Sequence, residues 1–253
     1  MSNSDRKRIV IVGATSTIAR HCARLWLAEY KCVDLTLVGR DLARIERVAS
    51  DLRVRSPKSS IEVLTVDFLC PDAIKRLAQD LTDPSPVDIV LIAHGSLPDQ
   101  NLCQEDLSVC AKAISINAIS PALFAEAFAG AMENAHKGTL GIIGSVAGDR
   151  GRKSNYVYGS AKGFLERYAE GLQHRLARKA VRIVLVKPGP TETPMTSNMP
   201  QPSLKLASPE VVARHIVDGM KKGSPTLYTP RKWFLIMAVL KYLPRFIFNR
   251  INI

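Results

Sequence analysis

Short runs of β-branched and aliphatic residues alternate along this chain with longer stretches in which apolar side chains recur every three to four positions. The runs Ile9–Val12, Leu35–Val38, Ile61–Val66, Val87–Ala93, Leu140–Gly144 and Val181–Val186 predict strands. The periodic stretches predict helices over 17–30, 41–54, 71–82, 105–133, 155–179 and 209–221, the last opened by Ser208 with Pro209 in its first turn. Strands separated by helices must return in one direction. The pattern therefore predicts an α/β fold, a doubly wound parallel sheet of about seven strands covered on both faces. No repeat or low-complexity tract interrupts it, so residues 1–230 read as one domain, followed by a tail over 231–253. The stretch from Pro188 to Pro209 is the one long irregular connection, and about 190–208 is expected to be a mobile substrate loop, because open α/β sheets bind ligands beyond the carboxyl ends of their strands.

Composition narrows the function. A chain of 253 residues that is 46% hydrophobic and 6% aromatic can bury a single core without disulfide or metal staples. Its 35 Lys and Arg against 23 Asp and Glu give a net charge of +12, which points to nucleic acid or an anionic surface until its distribution is considered. Seven of those cations, Lys221, Lys222, Arg231, Lys232, Lys241, Arg245 and Arg250, lie where no acidic residue follows position 220. No nucleic-acid-binding pattern appears, and nucleic acid is not an expected partner. Cys22, Cys32, Cys70, Cys103 and Cys110 are scattered and odd in number, and the five histidines form no ligand spacing, so neither a disulfide frame nor a metal site is expected. Arg6-Lys7-Arg8 before Ile9–Val12 mimics a signal peptide, but four apolar residues followed by Gly13 read as a first strand and a cytoplasmic body.

The first strand runs directly into Gly13-Ala14-Thr15-Ser16-Thr17-Ile18-Ala19 and then a helix. Free N–H groups and the positive end of the helix dipole can hold a dinucleotide phosphate there. The second strand ends in Gly39-Arg40, a guanidinium where an acidic residue would bind the ribose 2′-hydroxyl of NAD, which favours NADP(H) over NAD(H). Asp67 and Phe68 after the third strand can meet the adenine, and Ala93 and Gly95 after the fourth let a cofactor pass, with His94 a spacer between them.

The strongest constellation lies further on. Tyr158 and Lys162, at i and i+4, share one helix face, and Ser145 closes the fifth strand thirteen residues upstream. A phenol exchanges a proton with a carbinol near neutral pH only if its pKa is lowered, which a nearby ammonium and an oxidised nicotinamide achieve. Ser145 can donate to the substrate oxygen, and Asn117 can hold its helix open around a water reaching Lys162.

Together Gly13…Ile18, Ala93-His94-Gly95, Asn117, Ser145, Tyr158-Gly-Ser-Ala-Lys162 and Pro188-Gly189…Thr193 resemble the short-chain dehydrogenase/reductase family over residues 8 to about 220. That resemblance implies a Rossmann-type fold, hydride transfer at a nicotinamide, an Asn117-Ser145-Tyr158-Lys162 tetrad, a nicotinamide-holding segment at Pro188, Gly189 and Thr193, and a homo-oligomer formed through the two long middle helices. Val12, Thr17 and Ala19 depart from the glycine motif. A narrower likeness, carried by Ser145–Ser160 and Val239–Phe248, is to the decaprenylphosphoryl-2-keto-ribose reductases, which complete a ribose-to-arabinose epimerisation begun by an FAD-dependent oxidase. It implies a polyprenyl-phosphate sugar substrate, with a reductase of another hydrophobic ketone (3-oxoacyl or steroid-like) and a catalytically idle nicotinamide-binding scaffold as the alternatives.

The tail suits a lipid-linked substrate. Trp233–Leu240 is an unbroken apolar run and Leu243, Phe246, Ile247 and Phe248 continue it beyond Lys241, too short to span a bilayer. An apolar helix edged by cations is expected to lie on an anionic membrane or against a second subunit, making the protein peripheral to the cytoplasmic membrane. Arg150, Arg152 and Lys153, between the catalytic serine and tyrosine, are expected to meet the lipid phosphate, with Met195 beside the substrate.

Overall fold

A computed structural model describes residues 6–197 and 206–251. Seven parallel strands form one sheet in the order β3-β2-β1-β4-β5-β6-β7: β1 (Arg6–Val12), β2 (Cys32–Gly39), β3 (Ser60–Thr65), β4 (Ile89–Ile92), β5 (Gly138–Ile143), β6 (Val181–Pro188) and β7 (Thr226–Thr229). Alternate side chains of each strand enter opposite layers. Ile9 and Ile11 pack beneath α1 (Thr17–Glu29), α2 (Leu42–Arg55) and α8 (Pro209–Lys222), whereas Val10 and Val12 pack beneath α3 (Pro71–Thr82), α6 (Ser120–Asn134) and α7 (Tyr156–Leu176). Both faces are dry, which is why the strands read as continuous apolar runs rather than alternating ones. The strand order reverses between β1 and β4, and the crevice opens there, at the carboxyl ends.

The helix expected over 105–133 runs from Leu107 to Asn134 as α5 (Leu107–Ile114) and α6, joined by a wide π-type turn over Ser115–Ile119 that keeps the chain helical, and a short α4 (Gln100–Glu105) precedes it. Asp106 starts α5 by accepting from Ser108 and Val109 N–H, and the buried Asn117 donates from Nδ2 to Ala113 O (2.9 Å), so a side chain takes a carbonyl from the backbone ladder. The short edge strand β7 was not among the runs read above; its Thr-Leu-Tyr-Thr sequence is half polar and lies between Pro225 and Pro230. The tail forms α9 (Lys232–Tyr242) and α10 (Arg245–Phe248), with Trp233 and Met237 on the inner face of α9 buried against Val146. Of the expected substrate loop, 198–205 lie outside the described residues, and the flanks are joined by a bridge between Thr191 and Ala207.

Candidate active site

A cleft of about 380 Å³ runs along the carboxyl ends of the central strands. Its cofactor half begins at Gly13, whose φ of +87° only glycine adopts freely and where a Cβ would lie 2.6 Å from His94 N. Ser16 caps α1 and the first turn of α1 holds no acidic residue, so Thr15, Ser16, Thr17 and Ile18 line an electropositive helix start. Gly39 and Arg40 bound the cleft at the end of β2, with Arg40 5.8 Å from the Phe68 ring and Arg44 one turn on. Asp41, next in the chain, accepts from Arg44 N (3.0 Å) as the cap of α2. Ala93 and Gly95 form the floor, where a Cβ on Gly95 would lie 2.9 Å from Asn117 Oδ1. These small residues and uncommitted N–H groups fit an extended dinucleotide.

In the other half, Ser145 ends the β5 segment and Tyr158 and Lys162 project from α7 into the same space. Tyr158 lies beside Ser145, whose hydroxyl acts to lower the pKa of the phenol. Lys162 is buried, donates to Ile143 O (3.0 Å) and lies 5.7 Å from the Tyr158 ring. Asn117 does not reach Lys162 among these bonds; its Oδ1 accepts from Ser96 N (2.9 Å), which ties the wide turn to the segment after β4. Pro188, Gly189, Thr193 and Met195 make the opposite wall. Gly189 is pressed against the Trp233 indole, and a Cβ there would enter the ring.

Burial sets the electrostatics. It lowers the Lys162 ammonium to about 8, and it raises the Tyr158 phenol above its ordinary value against the pull of the Ser145 hydroxyl. In the chain without a nicotinamide Tyr158 is therefore held protonated at neutral pH. Burial, then Lys162 and Arg40, bring His94 to about 3, so it is a neutral imidazole bonded to Ser120 (2.9 Å) and packed against Phe68 and Phe124.

Four candidates do not line the cleft: Asn117, which lies behind Gly95, and three others. Asp67 is exposed and its carboxylate accepts from Leu69 N (2.9 Å), closing a turn. Arg150 donates to Leu240 O, Lys241 O and Leu243 O and stacks 3.8 Å from the Phe248 ring, so it latches the tail instead of facing a phosphate. Lys153 is exposed beyond the wall. Arg152 does line the cleft, and so does Asn155, which the sequence reading passed over together with Arg44. Arg44 was legible as the next turn from Arg40; Asn155 carried no signal beyond its place before Tyr158.

A model of the short chain dehydrogenase family matches residues 7–203. An uncharacterized oxidoreductase of Mycobacterium tuberculosis is 28% identical over 253 residues, with 99% of each chain covered. One of Streptomyces coelicolor is 29% identical over 248 residues, 97% of this chain and 96% of its own. A short-chain dehydrogenase from Sphingobium yanoikuyae in complex with NADPH superposes with a TM-score of 0.81 at 20% identity, over 97% of this chain and 96% of that one. A Burkholderia cenocepacia short chain dehydrogenase in complex with NADP does so at 0.80 and 17%, over 97% of both. The chain belongs to the short chain dehydrogenase family, a family of oxidoreductases.

Proposed function

We propose that the protein is an NADP(H)-dependent carbonyl reductase. The observation that carries this reading is the meeting of Ser145, Tyr158 and Lys162 at one end of a cleft whose other end is a glycine turn and helix start. A bound nicotinamide dinucleotide would supply the hydride. Gly13 to Ile18 would hold its pyrophosphate, Arg40 and Arg44 the 2′-phosphate, and the Pro188–Thr193 wall its reacting ring. Ser145 orients the carbonyl oxygen by hydrogen bonding. Tyr158, protonated at neutral pH, donates its proton as the alkoxide forms, and the Lys162 ammonium stabilises the phenolate left behind.

Among the described residues that line the cleft there is no Asp or Glu to meet a ribose 2′-hydroxyl, and Asp41 is turned to cap α2. Arg40→Ala is expected to raise KM for NADPH about tenfold while changing that for NADH by less than twofold, as one charge-assisted contact to phosphate is lost. Equal effects on both cofactors would remove the 2′-phosphate assignment.

For the substrate, the reading extends to the 2-keto group of a polyprenylphosphoryl 2-keto-pentofuranose, reduced to the arabinofuranose form after an FAD-dependent oxidase has acted. It is supported by the likeness of the 145–160 segment and tail, and by a tail that borders the cleft through Val146 and Gly189. NADPH consumption with the oxidised ribosyl lipid, in competition with a 3-oxoacyl thioester and a steroid ketone, tests it. Turnover of only the latter two reassigns the substrate, and binding without turnover of any ketone leaves an idle scaffold.

A lipid substrate asks for a membrane, and the outer face of the tail suits one. Phe234, Leu235, Val239, Tyr242 and Phe246 are exposed beside Lys232, Lys241 and Arg245. Two copies joined face to face there would oppose like charges, which favours an anionic bilayer over a second subunit at this surface. Oligomer contacts through the exposed Ile114, Ile119 and Phe164 of the middle helices remain compatible with that arrangement. Flotation with phosphatidylglycerol vesicles is expected for the intact protein and to be lost in a Phe234→Ser/Leu235→Ser/Phe246→Ser variant. Unchanged flotation would take the tail out of the reading.

A further inference from the structure

Among the described residues, three polar atoms of cleft-lining residues are shielded from solvent without a hydrogen-bond partner: His94 Nδ1, set between the Phe68 and Phe124 rings, and, in the wall on the substrate side, Arg152 Nε and Asn155 Oδ1. A buried polar atom left unpaired costs on the order of 1–3 kcal/mol, so such atoms mark places where a ligand completes the structure. The last two belong to one turn, closed by Asn155 N–H on Arg152 O (3.1 Å), between Ser145 and Tyr158 on the substrate side of the cleft.

The state of Asn155 is informative. It stands at the N-cap of α7, where asparagine ordinarily accepts a hydrogen bond from the first turn of its own helix. Here it does not. The Val157 N–H goes instead to Gln100 Oε1 (3.1 Å), a side chain 57 residues earlier in the chain. A second residue has taken over the cap, and the amide oxygen of Asn155 is left as an acceptor in the cleft wall. Arg152 is equally exceptional. Burial lowers its pKa and no carboxylate among the described residues opposes that effect or pairs with the guanidinium. An arginine so placed is a receptor for an oxyanion, and planar guanidinium geometry suits phosphate.

We infer that Arg152 and Asn155 form a recognition pair for a hydroxylated ketone that also carries an oxyanion, with Arg152 meeting the anion and Asn155 Oδ1 accepting from a hydroxyl near the reacting carbon. The inference rests on the carbonyl-reductase reading for its orientation, because Ser145 and Tyr158 fix where the carbonyl lies. It narrows the substrate to sugar-phosphate-like chemistry and turns away neutral apolar ketones, which would leave both atoms unpaired.

Three probes test it: ribulose 5-phosphate, uncharged ribulose and 2-heptanone. Binding to the NADP⁺-loaded enzyme is read by calorimetry, and NADPH oxidation gives the ratio of kcat/KM between probes. The phosphate is expected to bind at least about tenfold more tightly than ribulose. Arg152→Gln should abolish that advantage, Arg152→Lys should keep part of it, and Asn155→Leu should lower the preference for both sugars over heptanone about tenfold. Equal binding of ribulose 5-phosphate and ribulose by the unaltered protein overturns the pair. So does an Arg152→Gln variant whose loss is one of NADPH affinity or of all probes alike. Arg152-dependent binding without any NADPH oxidation would sink the reductase reading and keep the pair; heptanone turnover with no phosphate preference would do the reverse.

Discussion

Replacing Tyr158 by phenylalanine is expected to lower kcat about 10³-fold with a small change in KM for NADPH, since a positioned general acid contributes on the order of 10²–10⁴ in rate and the ring itself is kept. The phenol is the one proton source beside Ser145 among the described cleft residues that is protonated at pH 7. The pH dependence follows from its neighbour. Lys162 titrates at about 8 because burial disfavours its charged form. Below 8 the ammonium is present to stabilise the phenolate, and above 8 it is lost, so kcat/KM should fall on the alkaline side with an apparent pKa near 8. Full activity in the Tyr158→Phe variant, or an alkaline limb that stays in place in Lys162→Arg, would remove these two groups from the chemistry.

The largest expected loss of stability lies behind the site. Lys187, the residue before Pro188, is fully buried with Asp149, to which it is hydrogen-bonded, and reaches Glu166 at 2.8 Å. Burial alone would lower its pKa, but the hydrogen bonds to the two carboxylates outweigh it and hold the ammonium charged. Lys187→Met strands two inward-facing carboxylates, and deleting one member of a buried ion pair costs about 3–5 kcal/mol. Urea unfolding should show that loss, and a Lys187→Met/Asp149→Asn double variant should lose less than the single. A single variant within about 0.5 kcal/mol of the parent would mean that water already screens the cluster. Because Asp149 follows Ser145 by four residues and Glu166 follows Lys162 by four, this cluster also fixes the relative placement of β6, the 146–149 turn and α7.

What the sequence made legible follows from where information is local. Strands buried on both faces must be continuous apolar runs, so β1, β2, β5 and β6 announced themselves, as did residues sitting just past their carboxyl ends: Gly13, Arg40, Gly95 and Ser145. Tyr158 and Lys162 were legible because an i, i+4 pair needs only the helix that carries it. What escaped depends on partners distant in sequence. Arg150 looked like a phosphate contact until the tail carbonyls, 90 and 93 residues on, were folded against it. The Lys187–Asp149 pair spans 38 residues, and Gln100 relieves Asn155 across 57 to Val157. The wide turn within the middle helix, where Asn117 Nδ2 donates to Ala113 O, is not registered by a period of 3.6.

The chain has two tryptophans, and their settings differ. Trp26, on the buried face of α1, is sealed in the core shared with α8, whereas the Trp233 indole lies on the backbone of Gly189, in the wall that would face a nicotinamide ring. The protein thus carries its own optical gauge of that wall: a Trp26→Phe variant would emit from Trp233 alone, and energy transfer from it to a reduced nicotinamide would time the arrival of the cofactor without any attached dye.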